Sequence, residues 1–263
     1  MQQSHPSDTS DPRANKLPWT PIVAVLIVLG IYFGSMIIGQ SIVSIYPVLQ
    51  GWSESQANSW LSGSAAIQFG YVLIVEVVTL LLLYFVLRRR KLGFRHLGLI
   101  RPRLHDLGVA LISYPPYFVL NAIATLAATA LFQLDQTQQQ QTGFENATSG
   151  TDLILTFFSL VVLPPIVEEI VMRGYLFGSL KSGMSVVRAA LLTSVIFAVA
   201  HLQFGSGAPL LWVAAIDTFI LSLVLCYMRQ KTGSLWPGIG LHALKNFLAF
   251  FVLFLLPYIR AMS

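Results

Sequence analysis

Charge is what this sequence has least of. Of its 263 residues, 16 are Lys or Arg and 11 are Asp or Glu, so only 10% are charged; a soluble domain carries about 25%. There is one cysteine, Cys226, which excludes an internal disulfide framework and any cysteine-based metal cluster. It lies in an apolar run and reads as a small packed residue. No internal repeat is visible, and no stretch has the composition of a soluble domain. The first apolar run follows polar, Pro/Ser/Asp-rich residues and precedes no small-x-small site, so it reads as a retained span rather than a cleavable signal peptide.

What the chain does have is long apolar runs. It is 55% hydrophobic with a mean hydropathy of +0.71. A membrane span needs about 20 mostly apolar residues, and lipid offers the backbone no hydrogen bonds, so each run should be helical. The runs are Pro21 to Ile38, Ala65 to Leu87, Leu107 to Phe132, Ala189 to Leu202, Leu210 to Tyr227 and Ile239 to Tyr258. Leu153 to Val167 starts another, which runs into charged residues, and Ile42 to Leu61 has room for a half-helix. The expected fold is an all-α, polytopic transmembrane helical bundle of about seven spans, within a range of six to eight. Residues 1–20 are expected as a cytoplasmic tail, disordered over Met1 to Lys16. Residues 21–150 are expected as supporting helices and loops, 151–258 as a catalytic core, and 259–263 as a tail.

Basic residues are lacking on one side of this bundle. The loops Gln40 to Ser64, Gln133 to Asp152 and Gln203 to Ala208 contain no Lys or Arg, whereas Arg88, Arg89, Arg90, Lys91, Arg95, Arg101 and Arg103 crowd a single connection. Arg13, Lys16, Lys181, Arg188, Arg229 and Lys231 fall on that same side, and Arg260 is the exception. Positive-inside bias then expects an integral multi-pass protein of a prokaryotic plasma membrane with its N-terminus in the cytoplasm. This placement explains the net charge of +5 without nucleic acid and makes anionic lipid headgroups the expected partner. Gln133 to Gly150 is Gln-rich and reads as irregular; within it Asn146-Ala147-Thr148 matches the short N-glycosylation pattern.

An ionisable group at mid-membrane costs about 2.5–3.5 kcal/mol. The C-terminal half nonetheless holds Glu168, Glu169, Arg173, His201, Asp217, His242 and Lys245, so these groups should face one another or a wet cavity. Glu169 and Arg173 are four apart in the order that favours an ion pair. Glu168 points about 100° away from Glu169 around a helix, so the two carboxylates should divide between pairing and facing a cavity. His242 and Asn246 share a helical face, and His201 lies on another helix. A carboxylate and a histidine can hold and deprotonate a water; a histidine and an asparagine can donate to an oxyanion. Taken singly, His201 also suits helix packing, Glu169 with Arg173 a structural ion pair, and His242 with Asn246 a link between helices. Asp217 is unassigned, and Lys245 is expected beside a carboxylate or snorkelling.

Three short patterns here resemble those of a known family. Glu168-Glu169-Ile-Val-Met-Arg173, preceded by Leu163-Pro164-Pro165-Ile166-Val167 and followed by Gly174, resembles the EExxxR motif of the CAAX prenyl endopeptidase and bacteriocin-processing (CPBP, or abi) family. Phe197-Ala-Val-Ala-His201 resembles its FxxxH motif. His242-Ala-Leu-Lys-Asn246, reached through Thr232-Gly233-Ser234-Leu235-Trp236, resembles its HxxxN motif. The resemblance covers roughly Leu153 to Phe251; Ser222 stands where a glycine is often expected.

The resemblance implies an intramembrane CAAX-type endopeptidase acting on membrane-associated substrates, including CAAX-like or lipidated ones. It implies that Glu168 is the general base, that His201 positions the water, and that His242 and Asn246 stabilise the oxyanion. Glu169 and Arg173 would shape the site. Zinc stays open, since Glu168, His201 and His242 could supply the three protein ligands of a catalytic zinc; a metal-free glutamate mechanism is favoured because Asn246 suits an oxyanion better than a cation. Other membrane-protease patterns are missing: there is no His-Glu-x-x-His, no Gly-x-Ser-Gly and no Gly-x-Gly-Asp. The competing expectations are a non-catalytic scaffold or bacteriocin-immunity or regulatory protein of the same fold, and a transporter using the buried charges as an ion path.

Overall fold

The computed structural model describes residues 17–135, 142–203 and 210–262. Eight helices carry the described chain, and among the described residues there is no strand. They are α1 Pro21–Leu49, α2 Glu54–Ser62, α3 Ala65–Arg88, α4 Leu104–Phe132, α5 Gly150–Gly183, α6 Val186–Ala200, α7 Trp212–Thr232 and α8 Trp236–Ala261. Six of them are long and apolar enough to cross a membrane. The seventh apolar helix, α6, has only 15 residues, about 22 Å at 1.5 Å per residue, so it stops inside a hydrocarbon layer about 30 Å thick. The short α2 occupies the half-helix region. The chain is therefore an integral membrane protein with a polytopic helical fold.

Helix ends follow local chemistry. Pro21 begins α1 at a position where a missing N–H costs nothing. Ser53 and Gln56 close a capping box at α2, Ser149 and Asp152 another at α5, and Ser185 caps α6. Gly233 ends α7 with φ +68°, a conformation open to glycine without steric cost.

The helix that starts with the apolar run Leu153 to Val167 is α5, and it continues through the charged residues to Gly183. It is not regular: Phe158–Val162 and Glu169–Leu176 are π-helical. Every residue from Glu169 to Leu180 is buried, so this second half of α5 is enclosed on all sides at the centre of the bundle. Around it, α1 packs on α3, α6 on α7, and α4 on both α7 and α8. The outer helices turn Ile22, Phe33, Phe85, Ile112 and Leu126 outward, the surface expected against lipid.

Two tail boundaries shift. Leu17 and Trp19, inside the expected tail 1–20, are buried; Trp19 packs edge-on against Tyr175 with ring centroids 5.0 Å apart. Residues 1–16, with Arg13 and Lys16, lie outside the described residues, as do 136–141 and 204–209, parts of two loops expected on the opposite side. At the other end the helix runs on past 258 into the expected tail 259–263.

The basic connection between α3 and α4 is strapped onto the core. Its turn, Phe94–Leu97, buries Leu97 against Gly174 of α5, where a Cβ would lie 3.0 Å from the Leu97 Cβ. Arg229 Nη2 donates to the Leu97 carbonyl at 2.9 Å, the Leu235 N–H to the Gly98 carbonyl at 3.0 Å, and Trp236 Nε1 to the Ile100 carbonyl at 2.5 Å.

Candidate active site

The two adjacent glutamates divide as their 100° separation requires. Glu169 points into the core: its Oε1 lies 3.0 Å from Arg173 Nη1 and 3.2 Å from His242 Nδ1, and both glutamate and arginine are fully buried. Glu168 points into a cavity; its side chain is 29% exposed, and Oε2 lies 3.8 Å from His242 Nε2. Gly238 permits this approach of α5 and α8, since a Cβ there would meet Glu169 Oε2 at 3.1 Å.

Phe197 serves as a wall between these groups. Its ring lies 4.4 Å from the Arg173 guanidinium carbon, a cation–π contact. Its centroid is 4.7 Å from that of His201 and 6.0 Å from that of His242. At the end of α6 the His201 N–H bonds back to Ala198, three residues away, so it does not take the Phe197 carbonyl. His201 Nδ1 takes that carbonyl instead, at 2.8 Å. A carbonyl only accepts, so Nδ1 carries the hydrogen and the neutral ring presents Nε2 as an acceptor.

Asn246 is placed by a proline effect. The carbonyl of Leu160 would take a hydrogen from residue 164 in an α-helix and from residue 165 in a π-helix. Both are prolines, which have no N–H. Asn246 Nδ2 donates to this orphaned carbonyl at 2.8 Å, leaving its second amide hydrogen and its oxygen free of that bond.

Glu168, His201, His242 and Asn246 thus come from α5, the end of α6 and α8, and all four line one cavity of about 930 Å³. Its walls continue along apolar residues of α8, among them Phe250, Leu253 and Tyr258, to a rim made by Thr142, Glu145 and Thr148. Burial works against the Glu145 carboxylate, but the Thr142 and Gly143 N–H groups and the Thr142 hydroxyl that donate to it hold it below the usual carboxylate range. This rim belongs to the segment read from sequence as irregular. Asn146 Nδ2 ties it to the Ser62 carbonyl at 3.2 Å.

Lys245 pairs with Asp217 at 3.0 Å, and Asp217 also accepts from the Tyr117 hydroxyl. Tyr117 was missed in the sequence because a tyrosine in an apolar run signals nothing alone. Half-buried Glu76, in the middle of α3, was overlooked too, though a lone carboxylate in an apolar run is a readable signal. Ser222, the departure from the family pattern, is fully buried in α7, as is Cys226. Among the described residues no group of three His, Cys, Asp or Glu side chains stands ready to hold a metal ion.

One comparison with known proteins finds a likeness. Residues 150–248 match a family model described as Rce1-like, type II CAAX prenyl endopeptidase. No curated protein and no solved structure matches the chain. The matched segment begins at the first residue of α5 and contains Glu168, Glu169, Arg173, His201, His242 and Asn246. Over this segment, a little over a third of the chain, the protein carries an Rce1-like domain, in keeping with the CPBP resemblance of its three motifs.

Proposed function

We propose that this protein is an intramembrane endopeptidase that cleaves membrane-associated, CAAX-like or lipidated substrates with a water activated by Glu168 and His201. The observation that carries the reading is the division of labour between the two glutamates. Glu169 is committed to Arg173 and His242 in the core, while Glu168 faces the cavity with both histidines and Asn246 around it. A carboxylate exposed in a polar pocket of an otherwise apolar bundle suits a general base.

In the proposed reaction His201 Nε2 accepts a hydrogen bond from the water and orients it. Glu168 removes the water's proton as its oxygen attacks the scissile carbonyl carbon. His242 Nδ1 faces the Glu169 carboxylate, an acceptor only, so Nδ1 keeps its hydrogen and Nε2 is free to take a proton. Glu168 passes the proton to Nε2, and the imidazolium so formed donates to the oxyanion beside the free amide hydrogen of Asn246. As the carbon–nitrogen bond breaks, the same proton goes to the leaving amine. Glu169 and Arg173 hold the ring of His242 in this orientation. The basic strap supports a cytoplasmic placement of the α3–α4 connection, in the plasma membrane of a prokaryote.

The test compares peptide termini in host cells carrying wild type or Glu168→Gln at matched levels. New termini on a few membrane or lipidated proteins, found only with wild type, are expected. Identical termini from two folded proteins at equal abundance would overturn the peptidase reading in favour of a non-catalytic protein of the same fold.

A further inference from the structure

We propose that Lys245 is the carboxylate anchor of this site: its ammonium binds a carboxylate of the bound peptide, foremost the free C-terminus, and thereby selects which peptide bond lies over Glu168. The inference rests on the peptidase reading above and deepens it by naming a determinant of substrate choice.

Lys245 stands three residues after His242 and one before Asn246, and all three line the same cavity. Among the described residues that line it, Lys245 is the only Lys or Arg. The other charged groups there, Glu145 and Glu168, are carboxyl groups, and His242 and Asn246 are assigned to the oxyanion, which leaves Lys245 as the lining group with a permanent positive charge for an anionic peptide end. The ammonium is also held in place. Asp217 Oδ2 lies 3.0 Å from Nζ, and the other Asp217 oxygen accepts from the Tyr117 hydroxyl, so α4, α7 and α8 jointly fix it.

An ammonium has three donors, and Asp217 takes one. The Lys245 side chain remains 28% exposed, and it borders both this cavity and a second one of about 600 Å³ that Asp217 also lines. A tie serving only to join helices gains nothing from exposure to a cavity. Donors left open in an apolar surround favour an incoming carboxylate strongly.

The spacing fits a cut close to a chain end. Residues three apart on a helix have Cβ atoms about 5–6 Å apart, and an extended peptide covers about 3.3–3.6 Å per residue. That backbone spacing alone covers about one and a half residues, and the length of the Lys245 side chain adds to it, so a carboxylate held by Lys245 lies only a few residues from a carbonyl lying against His242. A C-a-a-X terminus places its carboxylate three residues beyond the lipidated cysteine.

The experiment uses the full chain in phosphatidylcholine nanodiscs and fluorescein-labelled peptides with a farnesylated cysteine in a C-terminal C-a-a-X sequence. One peptide ends in a free acid, one in an amide, and a third in an amide preceded by aspartate. Binding is read by anisotropy and cleavage by chromatography. Wild type should bind the acid at least about tenfold more tightly than the amide. Lys245→Met should bring the acid down to the affinity of the amide and leave the amide unchanged, and Lys245→Arg should keep the preference. Because Lys245→Met strands the Asp217 carboxylate, the double change Lys245→Met with Asp217→Asn is measured beside it, with the same expectation. Recovery by the aspartate peptide would show that a side-chain carboxylate also serves; no recovery would restrict the anchor to the chain end. Equal binding of acid and amide by wild type, or equal weakening of both in the variants, would overturn the proposal. Binding preference without any cleavage would leave the anchor standing and remove the peptidase reading; cleavage without preference would do the reverse.

Discussion

Neutralising Glu168 and neutralising Glu169 should damage different properties of the protein, although the two changes are one residue apart. Glu169 is fully buried between Arg173 at 3.0 Å and His242 at 3.2 Å. Glu169→Gln keeps the shape but strands a buried guanidinium left with the Phe197 ring and the Cys226 thiol, neither of which carries a compensating charge. Removing one partner of a buried pair costs about 3–5 kcal/mol. Glu168 is 29% exposed to a cavity, and its approach to His242 is 3.8 Å, beyond hydrogen-bond length. Glu168→Gln should therefore change stability by about 0.5 kcal/mol or less, as a substitution outside the core does. In detergent or nanodiscs, thermal unfolding of Glu169→Gln should fall by roughly 10 °C, taking about 2–4 °C per kcal/mol for a chain of this size. Glu168→Gln should unfold with wild type yet lose cleavage of a lipidated peptide by at least about a hundredfold, the lower end for a general base. The reasoning is refuted if Glu168→Gln unfolds as early as Glu169→Gln, or if a stable Glu168→Gln retains cleavage.

Three further predictions test other parts of the site. Asn246→Leu orphans the Leu160 carbonyl again and should cost about 1–3 kcal/mol; adding Pro164→Ala returns an N–H to that carbonyl, so the double variant should recover thermal stability but not cleavage. Recovery of cleavage in the double variant would reduce Asn246 to a structural role. Dialysis of purified protein against 1,10-phenanthroline should leave cleavage intact, and a loss restored by added zinc would reinstate a metal. Gly238→Val should push the Glu169 carboxylate, 3.1 Å from the modest Cβ of an alanine at that position, out of its pair; an overpacked core loses about 1–3 kcal/mol, read as early unfolding, and wild-type stability would show that α8 shifts freely.

The sequence made the site more legible than its supports, for a physical reason. Ionisable residues in apolar runs are costly, so Glu168, Glu169, Arg173, His201 and His242 stand out against their surroundings, and helical spacing separates Glu168 from Glu169 before any coordinates are known. The same contrast does not say how far α5 runs beyond its apolar part. Glu169 and Arg173 neutralise each other inside the bundle and let the helix run on to Gly183. The supports are harder to read because they are backbone atoms or ordinary aromatic residues. The Phe197 carbonyl is free because α6 tightens at its last turn, and the Leu160 carbonyl is free because Pro164 and Pro165 follow it. Proline pairs announce an orphaned carbonyl in any helix, but only the packing of α8 on α5 shows that Asn246, 86 residues away, fills this one. Each interrupted helix leaves a backbone acceptor in a place where lipid supplies no donor, and a side chain of the site occupies it. The breaks in α5 and α6 thus orient His201 and Asn246 toward the cavity, and the irregular backbone and the proposed chemistry have the same cause.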